Sequence, residues 1–155
     1  MHIGFGLYRH QLDDAHFAFA RQCGATHLIV HLCDYFRQSE DTSRPNQPVG
    51  QNGWGVAEGR LWSVDELLAL KERMGRHGLS FYAVENFDPG LWSDVLLGGP
   101  RRDEQLAQVA QQIRNVGSAG IPVFGYNFSL AGVAGRITTN NARGGAQSVG
   151  MAGIT

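Results

Sequence analysis

A short β-type run followed by a helix-type run occurs three times in this chain, and the third helix leads into a fourth β-type run. This alternation is the strongest constraint on the fold. Successive strands separated by a helix cannot form hairpins, so they pair in parallel through crossover connections. The β-type runs are His2–Tyr8, Thr26–Leu32, Leu79–Val84 and Ile121–Phe128. Right-handed crossovers then leave two architectures, a doubly wound sheet or a barrel.

The helices between them carry their own punctuation. Asp13 or Asp14 caps a helix running to about Cys23, with Phe17, Ala20 and Cys23 at helical spacing and Gly24 as the stop. Ser63-Val64-Asp65-Glu66 is a capping box opening a helix whose Leu67, Leu70 and Met74 form one stripe, closed by His77-Gly78. A short helical piece from Pro89 to about Leu97 ends at Gly98-Gly99-Pro100. From Asp103 the spacing of Leu106, Val109, Ala110, Ile113 and Val116 predicts a long amphipathic helix with that stripe inward. The second strand, with His27, Ile29 and His31 on one side and Leu28, Val30 and Leu32 on the other, is apolar enough to be buried on both faces.

Two regions stand outside the alternation. Residues 33–62 form a connection too long for a plain linker in a compact domain, where about 15 residues is already uncommon. With Trp54 and Trp62 in or beside it, it reads as a lid or interface arm. Residues 129–155 read as a Gly-, Ala- and Asn-rich active-site loop holding Arg136 and Arg143. The whole of 1–155 is expected to be one domain.

Several function classes fall away. No G-x-G-x-x-G follows a strand and no G-x-x-x-x-G-K-[ST] occurs; Gly4-Phe5-Gly6 lies inside a strand and lacks a third glycine. Net charge is −1 with both signs scattered, so nothing argues for nucleic acid or an anionic membrane surface. No apolar run approaches the roughly 18 residues of a membrane span, and with no basic-then-apolar run at the start no leader is expected. Cys23 and Cys33 are expected to stay reduced, in keeping with a cytoplasmic protein.

Polar groups gather where the apolar strands stop. The first strand delivers Arg9 and His10, the second His31 and Asp34, the third Glu85 and Asn86, and the fourth Tyr126, Asn127 and Ser129. Counting by twos, His31 follows Ile29, Glu85 follows Phe81 and Ala83, and Asn127 follows Val123 and Gly125, which places the three on one side. In parallel α/β folds the carboxyl ends of strands are where active sites form. The set suits a small, polyhydroxylated anion. Arg9 and Arg136 suit a carboxylate, with Arg143 as a further candidate. Asn86, Tyr126, Asn127 and Ser129 suit hydroxyl groups, His31 or His10 suits proton transfer, with His10 also a substrate-binding candidate, and Glu85 suits either a metal or the role of a base. No C-x-x-C spacing occurs, and a complete metal cage within this chain is not expected.

Beyond single residues, HIGFGLYRH (2–10), FARQCGATHLIVHLCDYF (19–36), NQPVG (46–50), ENFDPGLW (85–92), GPRRDEQ (99–105), IRNVGSAGIPVFGYNFSLAGVAGR (113–136) and ARGGAQSVG (142–150) resemble, in order, the amino-terminal half of bacterial mannonate dehydratases. The resemblance implies a TIM barrel of the xylose-isomerase-like kind, of which this chain would supply parallel (β/α) units with four of the eight strands. It implies dehydration of D-mannonate to 2-dehydro-3-deoxy-D-gluconate in hexuronate and glucuronate catabolism, with Mn²⁺ or Fe²⁺. The metal ligands are then expected in the missing carboxyl-terminal half, and the full-length protein is expected to be a homo-oligomer. Two other readings stay open: a catalytically silent half-barrel that needs a complementing chain, and an isomerase or epimerase acting on a related sugar.

Overall fold

The computed structural model describes residues 2–33, 60–126, 136–140 and 142–151. Of the expected lid at 33–62, residues 34–59 lie outside the described residues, as do Asn127 and Ser129. Four strands form one parallel sheet: β1 (Gly4–Tyr8), β2 (His27–His31), β3 (Ser80–Asn86) and β4 (Val123–Phe124). Their spatial order is β1-β2-β3-β4, the order of the sequence. A doubly wound sheet reverses direction at a switch point; this one does not, so the barrel topology is the one that fits.

Helices α1 (Asp14–Gln22), α2 (Val64–Arg76), α3 (Ser93–Leu97) and α4 (Arg102–Ser118) provide the crossovers. Asp13 caps α1 by accepting a hydrogen bond from the His16 amide at 2.9 Å. The capping box of α2 is present: Ser63 Oγ accepts from the Glu66 amide at 3.2 Å, and Glu66 Oε2 accepts from the Ser63 amide at 2.9 Å. Gly98, in the left-handed conformation at φ 65°, ends α3.

The core lies between the sheet and the helices. Leu7, Leu28, Val30, Phe81 and Val84 project from the strands against Phe17 and Ala20 of α1, Leu67, Leu70 and Met74 of α2, and Val116 of α4. Each of these side chains except Ala20 contributes on the order of 1.5–3 kcal/mol through removal from water. The other face is not covered by any described element. His27, Ile29 and His31 are half-buried there, and Tyr82 is exposed. The expectation that the second strand is buried on both faces is therefore corrected: Leu28 and Val30 are buried, and His27, Ile29 and His31 on its other side are only half-buried.

Three further corrections concern the carboxyl-terminal part. Helix α4 keeps part of the predicted stripe inward, with Val116 buried and Val109 packed on the core, but Leu106 and Ile113 are exposed and Gln105 and Gln112 are buried in their place. The glutamines are inside because they satisfy backbone groups of neighbouring segments. Gln105 Oε1 accepts from the Asp94 amide at 2.7 Å, and its Nε2 donates to the Gly90 carbonyl at 2.9 Å. Of the predicted fourth strand Ile121–Phe128, only Val123–Phe124 is strand among the described residues. Finally, the supposed loop 129–155 contains an antiparallel hairpin, β5 (Arg136–Thr139) and β6 (Ser148–Met151), with a short 3₁₀ turn at Arg143–Gly145 between them.

Candidate active site

The sheet register alone brings three side-chain positions to one level at its carboxyl edge. Tyr8 of β1 pairs with His31 of β2, and His31 pairs with Asn86 of β3. His31 Nε2 stands 3.1 Å from Glu85 Oε2. On its other side, His31 Nδ1 stands 3.4 Å from Asn86 Nδ2. The Tyr8 ring packs on the imidazole at 4.6 Å between centroids with a 26° tilt, and the His10 ring lies nearly parallel to Tyr8 at 6.1 Å.

Glu85 and His31 are thus brought together, but not by the alternation that predicted it. Phe81, expected on the side of Glu85, is in the core. The β2–β3 register shifts twice, between Leu28 and Ile29 and between Val30 and His31. Each shift leaves one extra residue on β3, first Tyr82 and then Glu85. At such a bulge consecutive residues lose strict alternation, and a side chain is re-aimed. Here the second shift lets the adjacent Glu85 and Asn86 both reach one imidazole.

Electrostatics separate the two members of the pair. His31 is largely buried, and this desolvation pushes its pKa below the ordinary imidazole value, with the Glu85 carboxylate opposing the change. The imidazole is therefore neutral around neutral pH. The Glu85 side chain is about half exposed, at 51% of its reference area, against 13% for His31. A solvent-facing carboxylate bonded to a buried neutral imidazole can accept a proton from a molecule lying on the open face.

Behind Glu85, Gly125 lies close against β3. Its amide donates to the Val84 carbonyl at 2.7 Å. A Cβ at this position would meet that same oxygen at 3.1 Å and the Glu85 carbonyl oxygen at 3.3 Å. Glycine here allows the two strand ends to approach each other just where the carboxylate is presented.

The other predicted residues are placed differently. Arg9 reaches toward Asp88, with Nη1 3.6 Å from Oδ2, and its guanidinium lies 5.4 Å from the Trp62 ring. It borders a cleft of about 380 Å³ against α2, with Leu12, Trp62, Glu66, Leu70 and Arg73 among its walls. His31 and Glu85 are not among the residues lining that cleft. Tyr126, just beyond β4, is 70% exposed. Arg136 opens β5 of the hairpin. Tyr8 was missed, although the alternation Gly4, Gly6, Tyr8 sets it at the end of the first strand on the side of His31.

The residue set does not fit a divalent cation by itself. Among the described residues no group of three or more His, Cys, Asp or Glu side chains is placed to hold a metal ion. His31 and Glu85 make only one nitrogen and one carboxylate, already bonded to each other.

Comparison with known proteins agrees with this architecture. A solved mannonate dehydratase from Streptococcus suis serotype 2 superposes with a TM-score of 0.62 at 23% identity, over 96% of this chain and 36% of that one. A mannonate dehydratase of Streptococcus pneumoniae (strain 70585) is 37% identical over 75 residues, which is 48% of this chain and 20% of that protein. Mannonate dehydratase 2 of Halalkalibacterium halodurans is 35% identical over 75 residues, or 48% and 21% of the two chains. The aligned part is thus about a fifth of the length of these curated relatives. The model of the UxuA family, D-mannonate dehydratase, matches residues 7–148, from the end of β1 to the first residue of β6. Because the match runs through the crossovers and the His31–Glu85 edge alike, this chain belongs to the D-mannonate dehydratase family, a family of hydro-lyases.

Proposed function

We propose that this chain forms one wall of a sugar-acid site that removes water from D-mannonate to give 2-dehydro-3-deoxy-D-gluconate, a step in hexuronate breakdown. The observation that carries this reading is the His31–Glu85 contact of 3.1 Å at adjacent strand ends, within a chain of this family. The reaction takes a proton from the carbon beside a carboxylate and expels a hydroxyl from the next carbon. Glu85 is the proton acceptor on this wall, and Asn86 and Tyr126 stand near the same edge for the hydroxyl groups. Asn127 and Ser129, which follow Tyr126, and Arg136 extend that set in sequence, with Arg9 and His10 as the contribution of the first strand. A divalent metal, Mn²⁺ or Fe²⁺, would supply stabilisation of the developing negative charge. Its ligands are assigned to the part of the enzyme beyond the described residues. Among the described residues no helix is long and apolar enough to cross a membrane, and a cytoplasmic, homo-oligomeric enzyme is the setting we infer.

The open sheet face supports a narrower second reading, that this chain acts only together with further strands. Tyr82 and Val123 are exposed there, at 40% and 38%. The described sheet also ends in two edge strands, β1 and β4. One experiment addresses both readings. The purified chain, mixed with D-mannonate and Mn²⁺, should form no 2-keto product. Product should appear when a polypeptide carrying the remaining strands of a family member is added. Robust turnover by the chain alone would overturn the placement of the metal ligands elsewhere. A well-folded complemented complex with no turnover would overturn the assigned activity.

A further inference from the structure

His31 has two ring nitrogens, and each meets a group that can play only one part in a hydrogen bond. At Nε2 the partner is the Glu85 carboxylate, 3.1 Å away, which when ionised only accepts. At Nδ1 the partner is the Asn86 amide nitrogen, 3.4 Å away, which only donates. One protonation state satisfies both: a neutral ring with its hydrogen on Nε2 and its lone pair on Nδ1. An imidazolium would set N–H against N–H at Asn86. The other neutral tautomer would set a lone pair against the Glu85 carboxylate as well. Tyr8 adds a steric constraint, because its ring covers the imidazole face at 4.6 Å from the neighbouring strand and opposes rotation about the His31 side chain.

We propose that Asn86 and Tyr8 are positioning residues that hold His31 in its Nε2–H tautomer, so that His31 serves as a fixed donor to Glu85 and Glu85 is the proton acceptor of this wall. The register gives the reason both can act at once. Tyr8 and Asn86 are the direct sheet neighbours of His31 on its two sides, and the register shift brings Glu85 in beside Asn86. Burial of the imidazole favours the same neutral form. Among the described residues, the charged and titratable groups facing the ring are the Glu85 carboxylate from β3 and the Tyr8 phenol from β1, with His10 stacked beyond Tyr8. This assignment changes Asn86 from a substrate ligand to a residue acting through His31. Its importance for catalysis rests on the proposed activity, but the tautomer is read without turnover, so the two can fail separately.

The test is nitrogen NMR of the full chain labelled with ¹⁵N-histidine at neutral pH, with the His31 signals identified among the six histidines by their loss in His31→Gln. The wild type should show a protonated, pyrrole-like Nε2 and an unprotonated, pyridine-like Nδ1. Asn86→Asp places an acceptor at Nδ1 and should move that nitrogen to the protonated position, giving an imidazolium. Asn86→Leu and Tyr8→Leu should each blend the signals of the two tautomers, and Tyr8→Phe should restore the wild-type pattern. A wild-type proton on Nδ1 would overturn the proposal. So would an unchanged His31 spectrum in Asn86→Asp with the other histidines undisturbed. If Asn86→Asp does not fold, the wild-type spectrum and Asn86→Leu decide the matter.

Discussion

Gln112 and Trp62, fifty positions apart, are joined through the backbone of one and the side chain of the other. The Trp62 amide donates to Gln112 Oε1 at 2.7 Å, and Gln112 Nε2 donates to the Trp62 carbonyl at 3.4 Å. Asn115 Nδ2 adds a second donor to the same carbonyl at 2.8 Å. This clamp fixes the entry to α2 against α4. Gln112→Leu leaves the Trp62 amide without its acceptor while keeping the volume. It should cost about 1–3 kcal/mol, read as a lower urea midpoint with unchanged slope. A midpoint equal to wild type would show that water replaces the glutamine at no loss.

Glu85 tests the proposed chemistry directly. In the enzyme completed by its remaining strands, Glu85→Gln keeps the size and removes the basic carboxylate. We expect kcat to fall by about 10²-fold or more, as for loss of a general base, while the thermal midpoint changes little because the side chain is half exposed. Retention of near-normal kcat would remove Glu85 from the chemistry.

His31 gives a pH dependence of stability whose sign follows from its lowered pKa. Above the ordinary imidazole value of 6.5 the ring is neutral in both folded and unfolded chains and contributes no slope. As pH falls below that value, the unfolded chain takes up a proton that the folded chain resists, so stability declines. The decline is complete below the lowered folded value. His31→Gln should flatten this part of a denaturation series between pH 7 and the acid limb. An identical slope in the variant would place the titration elsewhere.

Gly125 provides a structural control on the position of the carboxylate. Gly125→Ala introduces a methyl group 3.1 Å from the Val84 carbonyl oxygen, against backbone that cannot swing aside. Destabilisation of about 1–3 kcal/mol is expected, with altered His31 signals because the Glu85 segment must move. A crystal structure of the variant with Glu85 unmoved would refute this.

At the α2 cap, Ser63→Ala removes the acceptor of the Glu66 amide. A loss of about 1 kcal/mol is the usual cost of a missing N-cap. It should appear in the thermal midpoint and leave turnover of the completed enzyme intact.

Local chemistry was readable where it is decided locally. The Ser63–Glu66 box, the Asp13 cap, the glycine stops and the strand–helix alternation each depend on a few neighbouring residues, and each is present. What was misread depends on distant partners. Leu106 and Ile113 satisfy a helical period as well as any core residues, but the interior went to Gln105 and Gln112 because exposed backbone groups of other segments needed them. Strict alternation put Glu85 beside Phe81, and only the pairing with β2 reveals the extra residues. The β5–β6 hairpin escaped notice amid glycines, although Ile137, Thr138 and Thr139 carry β-branched side chains suited to a strand.

The strand order has a consequence for how such a chain is made. Because β1, β2, β3 and β4 lie side by side in the order of translation, each strand's first partner is already synthesised when it emerges. Pairing can proceed by addition at one growing edge, with no strand waiting for a distant insertion between two others. Such assembly keeps contacts short in sequence for a parallel sheet and favours folding while the ribosome is still at work.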